Sequence, residues 1–162
     1  MSINPDYKGV ETGELAAISG GTYSYYAGRA VRMDVSGKLA YPTADRRVLG
    51  LIKESVISGV VDEISGAAGI YGSTKASVFH QGIATIRQSV YNGVSYNVYD
   101  QTLTYNPGDE LYATPASGVI TNSQPAATGP NGLTSVRVGR VLIAPANPAN
   151  GDPMTISVEC MS

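Results

Sequence analysis

The sequence predicts an all-β protein, a compact antiparallel β-barrel or sandwich built of short hairpins, with an extended N-terminal arm. Three observations carry that reading. Nineteen Gly and nine Pro punctuate the 162 residues. Between them lie short runs rich in Val, Ile, Thr and Tyr, which suit a pleated, half-buried surface. Sustained helical periodicity is scarce: only residues 11–18 and 56–64 could form helical turns, and Gly13 and Gly59 weaken both. A chain of this length fits one domain and buries roughly 70% of its unfolded surface. A core is therefore available without metals or disulfides.

Taken in order, residues 1–22 lack a convincing strand and read as the arm, and 23–162 as a single β-rich domain. Residues 30–35 run into Ser36-Gly37-Lys38 and 39–41 return, Gly37 supplying the positive φ that a tight hairpin needs. Residues 47–52 are almost all apolar and read as a central strand. A connector over 53–72 follows, with the small, flexible run 65–69 inside it. Residues 76–87 hold Val78, Ile83 and Ile86, with Gly82 as a bulge or a corner where the chain changes sheets. Residues 87–90 and 95–99 flank Asn92-Gly93, a strong hairpin signal. Residues 111–113 and 119–121 flank Ser117-Gly118. Residues 135–143 form a further strand, and 154–160 alternate cleanly, with Ile156, Val158 and Cys160 on one face. The segment 28–41 is echoed by 108–121. After each hairpin comes a strand of one kind, Arg47-Val-Leu-Gly-Leu-Ile first and Arg137-Val-Gly-Arg-Val-Leu later.

Composition excludes several functions. The chain is 43% hydrophobic and only 15% charged, which suits a surface packed against other proteins. The eleven Lys and Arg are scattered and the net charge is −2, so no nucleic-acid partner is expected. The start of the chain has no basic region followed by an apolar core, so it does not read as a signal peptide. The longest uncharged stretch, 111–136, is rich in Pro, Gly, Ser and Thr and cannot cross a bilayer as a helix; no membrane partner is expected. The lone Cys160 has no intramolecular disulfide partner, which points to assembly in a reducing cytoplasm.

Catalytic chemistry is hard to place. His80 is the one histidine, mid-strand, and no Gly-x-Ser-x-Gly elbow accompanies it, so a half-buried strand histidine is favoured over a general base. Cys160 reads as a small hydrophobe rather than a nucleophile. Asp62-Glu63 and Asp109-Glu110 are adjacent pairs, which a strand would point to opposite faces. Gly66-Ala-Ala-Gly69-Ile-Tyr-Gly72 and Ser36-Gly37-Lys38 match no phosphate loop. The expectation is a protein that is not an enzyme, with no catalytic residues, no metal and no cofactor.

Eleven Tyr against one Phe and no Trp stand out. Tyr23, Tyr25 and Tyr26 cluster just after the arm, which itself holds Tyr7; Tyr91, Tyr96, Tyr99 and Tyr105 surround the Asn92-Gly93 hairpin. Tyrosine offers an apolar face and a hydroxyl that tolerates partial exposure, so Tyr7, Tyr23, Tyr25 and Tyr26 are candidate protein-interaction residues. Ordinary β-propensity explains the same residues as linings of half-buried strands. Both readings stand at this point.

The layout resembles that of tailed-phage head decoration and capsid structural cement proteins. The features that carry the resemblance are a loose arm, the hairpin and apolar strand of 28–52, and the Gly82-Ile-Ala strand at 77–86. They continue with Pro107-Gly-Asp-Glu-Leu-Tyr opening a second hairpin, and the Val138-Gly-Arg-Val-Leu strand. The chain departs from the shortest members in its connector over 53–74 and its Gly/Pro-rich insertion at 125–132. The resemblance implies a virion structural protein that binds the outer surface of an expanded capsid and stabilises it against internal pressure. It implies the major capsid protein and a homotrimer of itself as partners, and a place on the capsid surface after assembly in the host cytoplasm. The competing reading is a glycan- or receptor-binding β-module of a phage tail or an adhesin.

Overall fold

The computed structural model describes residues 10–18, 23–43, 47–57, 75–91, 93–125 and 136–160. The first half of the chain forms β1 (Val10–Glu14), β2 (Ser24–Tyr25), β3 (Ala30–Met33), β4 (Leu39–Ala40), β5 (Val48–Ile52), β6 (Val56–Ile57) and β7 (Lys75–Phe79). The second half forms β8 (Gln81–Ile86), β9 (Ser89–Tyr91), β10 (Val94–Tyr96), β11 (Glu110–Ala113), β12 (Ile120–Thr121), β13 (Arg137–Ile143) and β14 (Met154–Glu159). One five-stranded sheet runs β1-β7-β5-β3-β4 and a second β8-β14-β13-β11-β12; β2–β6 and β9–β10 are two-stranded ribbons. Every one of these pairings is antiparallel.

Both sheets have the same topology, and the agreement reaches individual bonds. Val31 pairs with Gly50 and Leu111 with Gly139, and in each case the register slips one residue further on. Gly28 donates its N–H to the Ile52 carbonyl as Gly108 does to that of Val141. An isolated parallel bridge joins Leu15 to Leu39 in one half and Tyr99 to Ile120 in the other. Tyr25 donates its hydroxyl to the Ala16 carbonyl at 2.7 Å, and Tyr105 to that of Asp100 at 2.9 Å. The echo between 28–41 and 108–121 is thus part of a duplication that spans both sheets.

The two copies are packed front to back. Leu111, Val138, Val141, Ile156 and Val158 of the second sheet share a core with Ala30, Val48 and Leu51 of the first. The first sheet's opposite face holds its own cluster, with Leu15, Tyr25, Val31, Leu39, Ile52, Val56, Ala76 and Val78. Burial alternates along β14 as the sequence pattern requires: Met154, Ile156 and Val158 are buried, with Thr155 and Ser157 half-buried between them. The chain crosses from one sheet to the other at His80, between β7 and β8, beside the anticipated corner glycine Gly82.

Three local expectations change. Residues 10–14, placed in the arm and given helical character from Glu11 onward, are a strand paired with β7, and Leu15 behind them is fully buried. Leu39's side chain packs against the bare face of Gly13, and backbone pairing replaces the missing apolar alternation. Val56 and Ile57 form β6 rather than a helical turn; residues 58–64 lie outside the described residues. His80 sits at the junction of two strands rather than within one. There its carbonyl accepts from the Cys160 N–H at 3.0 Å and its Nδ1 lies 3.1 Å from the Leu49 carbonyl.

Candidate interaction surface

The tyrosines named from sequence are placed mostly inward. Tyr23 and Tyr25 lie on one side of the chain, both against the first sheet's cluster. Tyr25 is 1% exposed, stacks on Tyr41 at 4.7 Å and has its hydroxyl pushed up to about 12, by burial first and by Tyr41 second. Tyr26 is half-buried, stacked on Tyr96 at 4.0 Å with the Arg29 guanidinium 4.6 Å from its ring. Burial, then Tyr96, raises its pKa. Arg29 in turn donates to the Asn97 carbonyl, so this stack fastens the β9–β10 ribbon to the first half. Tyr99 and Tyr105 meet edge to face at 5.4 Å inside the main core. Tyr7 lies outside the described residues.

Among the described residues the back of the second sheet is an open surface. In the first sheet the corresponding positions are Ala30, Val48 and Leu51, which are buried in the shared core. In the second they are Glu110, Arg137 and Arg140, and they form a surface ion network. Arg137 bridges Glu110 and Glu159, both at 2.7 Å, and Arg140 lies 3.2 Å from Glu110. Their pairing raises the Arg137 pKa, the hydrogen bond to Glu110 contributing most. Exposed ion pairs contribute about 0–1 kcal/mol each, so the network orients side chains more than it stabilises the fold.

Beside the network the face is uncharged along β8, from Gln81 to Ile86. The Thr85 and Thr155 hydroxyls are 3.4 Å apart, and Thr155 pairs with Ile143 across the sheet. Ile83 is 72% exposed and Ile143 63%. A groove of about 940 Å³ runs along β8, lined among others by Leu51, Phe79, Ile83, Ile86 and Val90. Val90, 65% exposed, belongs to the β9–β10 ribbon. Six large apolar side chains are exposed among the described residues, and five of them (Ile83, Val90, Val94, Leu142 and Ile143) belong to β8, β9, β10 and β13.

Sequence reasoning missed this face because it weighed residue types rather than comparing the two repeats. The signal was present: where Val48-Leu-Gly-Leu51 is uncharged, the matching Arg137-Val-Gly-Arg140 carries an arginine at each end. Cys160 and His80 are both buried. Burial raises the Cys160 thiol to about 12, well away from thiolate chemistry at neutral pH. Among the described residues no group of three or more His, Cys, Asp and Glu could hold a metal ion, and no helix is long and apolar enough to cross a membrane.

Two stacked, duplicated antiparallel sheets, the back of the second uncovered among the described residues, define an all-β protein. No protein-family model matches the chain, and no curated protein matches it. Its fold is shared with a chain in the solved capsid of Myoviridae phage XM1, at 19% sequence identity and a TM-score of 0.55. That match covers 93% of this chain and 82% of the other.

Proposed function

We propose that the chain is a non-enzymatic structural protein of a phage virion, a decoration protein that binds the outer surface of an expanded capsid. The observation that carries this reading is the fold shared along 93% of the chain with a component of a phage capsid structure. The open back of the second sheet supports it. A face with exposed Ile83, Thr85 and Ile143 beside an ion network can dock by shape, with the charges setting orientation.

The mechanism is mechanical. Each subunit seats on the major capsid protein, and many copies acting together resist internal pressure although each contact is modest. Binding that favours the expanded lattice stabilises that lattice by mass action. The glycan- or receptor-binding alternative calls for aromatic rings on an exposed face. Among the described residues Tyr25, Tyr99 and Tyr105 are buried and Tyr26 is stacked on Tyr96, which counts against that alternative.

Co-sedimentation with expanded, undecorated capsids, with unexpanded procapsids as the control, tests the proposal. Saturable binding to the expanded shells is the expected result, weakened in Arg140→Glu, which reverses one charge of the exposed network. Absence of binding to either shell would overturn it.

A further inference from the structure

We propose that β8 is a self-pairing edge, through which two copies of this chain join antiparallel about a two-fold axis at Ala84 and merge their second sheets. The proposal stands apart from the virion reading, because it rests on how the sheet edges are built.

The two five-stranded sheets end in four edge strands, β1, β4, β8 and β12. An edge presents unpaired backbone groups that pair with other chains unless the strand is short, charged or covered. β4 and β12 are two residues long, and β1 carries Glu11 and Glu14. β8 is six residues long and uncharged from Gln81 to Ile86. Among the described residues it alone of the four lacks these protections, and it lies beside the groove lined by Phe79, Ile86 and Val90.

Which backbone groups face outward follows from the bonds at its ends. The His80 carbonyl accepts from Cys160 and the Gln88 N–H donates to Gly151, both toward the β14 side. The register between β8 and β14 runs from Gln81↔Glu159 to Ile86↔Met154 without a shift. Strand alternation therefore turns the even-numbered groups toward β14 and those of Gln81, Ile83, Thr85 and Arg87 toward solvent. The side chains of these same four residues are exposed.

A two-fold axis at Ala84 uses all four. Ile83 pairs with Thr85 of the second copy, and Gln81 with Arg87 of the second copy. Ala84 meets Ala84, a small residue that lets the strands close. The charges fit as well, since the two Arg87 side chains fall at opposite ends of the ladder, about 20 Å apart at the usual rise per residue. Ile83 and Thr85 continue the exposed face across the junction, and the two grooves meet beneath it.

Sedimentation velocity of the full chain over a wide concentration range tests this. A reversible dimer, in place of the homotrimer that the resemblance implies, is expected at twice the 16.8 kDa chain mass. Thr85→Pro removes an outward N–H and leaves the β14 ladder intact. With both copies affected, it is expected to weaken the dimer by about a hundredfold. Ile83→Lys, at a side chain 72% exposed, places two like charges diagonally across the junction and weakens it without touching the fold. Circular dichroism confirms folding of each variant, and Ile83→Lys carries the test if Thr85→Pro does not fold. A wild-type monomer at high concentration, a closed trimer, or a dimer indifferent to Ile83→Lys would each overturn the proposal.

Discussion

A Cβ on Gly139 would sit 1.7 Å from the Ser157 carbonyl oxygen, and one on Gly50 would sit 2.3 Å from that of Phe79. These two glycines hold the same place in the two repeats, facing Leu111 and Val31 across their neighbouring strands. Each lets a central strand approach its partner more closely than any side chain permits. Gly37 is a different case: its φ is +77° and nothing lies within 4 Å of where a Cβ would be. Gly139→Ala should therefore cost about 4 kcal/mol or more, because backbone must move, whereas Gly37→Ala should cost only about 1–2 kcal/mol of left-handed strain. Urea denaturation of both variants decides it; equal midpoints would show that the β13–β14 ladder yields more readily than its geometry implies. The tyrosines mark where residue-level reading ends. Their number and clustering are plain in the sequence, but a tyrosine suits a core and an interface equally well. Only the structure shows that Tyr25 stacks on Tyr41 and Tyr26 on Tyr96.

Strands bounded by strong turns were readable in advance, and those held only by tertiary pairing were not. β9 and β10 follow from Asn92-Gly93, β14 from its alternation, and β5 from its apolar run. β1, β2 and β6 have no such marks: two are two residues long, and β1 pairs through its backbone. The β9–β10 ribbon is itself an addition to the repeat. In the first half Glu14 ends β1 and Leu15 bridges Leu39 at once, whereas in the second the ribbon intervenes between Ile86 and Tyr99. Its ends are paired, Ser89 with Tyr96, so a two-residue turn can replace it. That replacement forfeits the Tyr26–Tyr96 stack, worth about 0.5–1.5 kcal/mol beyond its buried area, and a weak 3.5 Å contact between Ser55 and Ser89. The shortened protein should keep both sheets and lose no more than about 2 kcal/mol, as read from its denaturation midpoint. Collapse of the fold would instead make the ribbon part of the structural frame.

The duplication decides how the whole molecule unfolds. A chain made of two similar sheets could melt in two steps, as repeat units with small interfaces do. The packing argues otherwise. Ala30, Val48 and Leu51 belong to the first sheet, yet they are buried in the same core as Leu111, Val138, Val141 and Ile156 of the second. Their neighbours Val31 and Ile52 point into the first sheet's other cluster, so β3 and β5 are buried on both faces and serve both cores. The first sheet cannot open without uncovering the second. Connections run the same way, because β7 passes directly into β8 at His80, and the Ala30 N–H donates to the Gly118 carbonyl at 2.8 Å. The repeat was legible as an echo between two hairpins, but this sharing was not. It depends on exchanging apolar Ala30, Val48 and Leu51 for charged Glu110, Arg137 and Arg140, and a sequence does not say which of two similar faces is covered. Calorimetry should therefore give a single transition whose calorimetric and van't Hoff enthalpies agree. Leu51→Ala should lower that transition by about 2–5 kcal/mol without splitting it, since the cavity opens in a core common to both halves. Two resolved transitions in the wild-type protein would mean that the sheets fold independently, and the shared core would then be a contact between finished units rather than the centre of one.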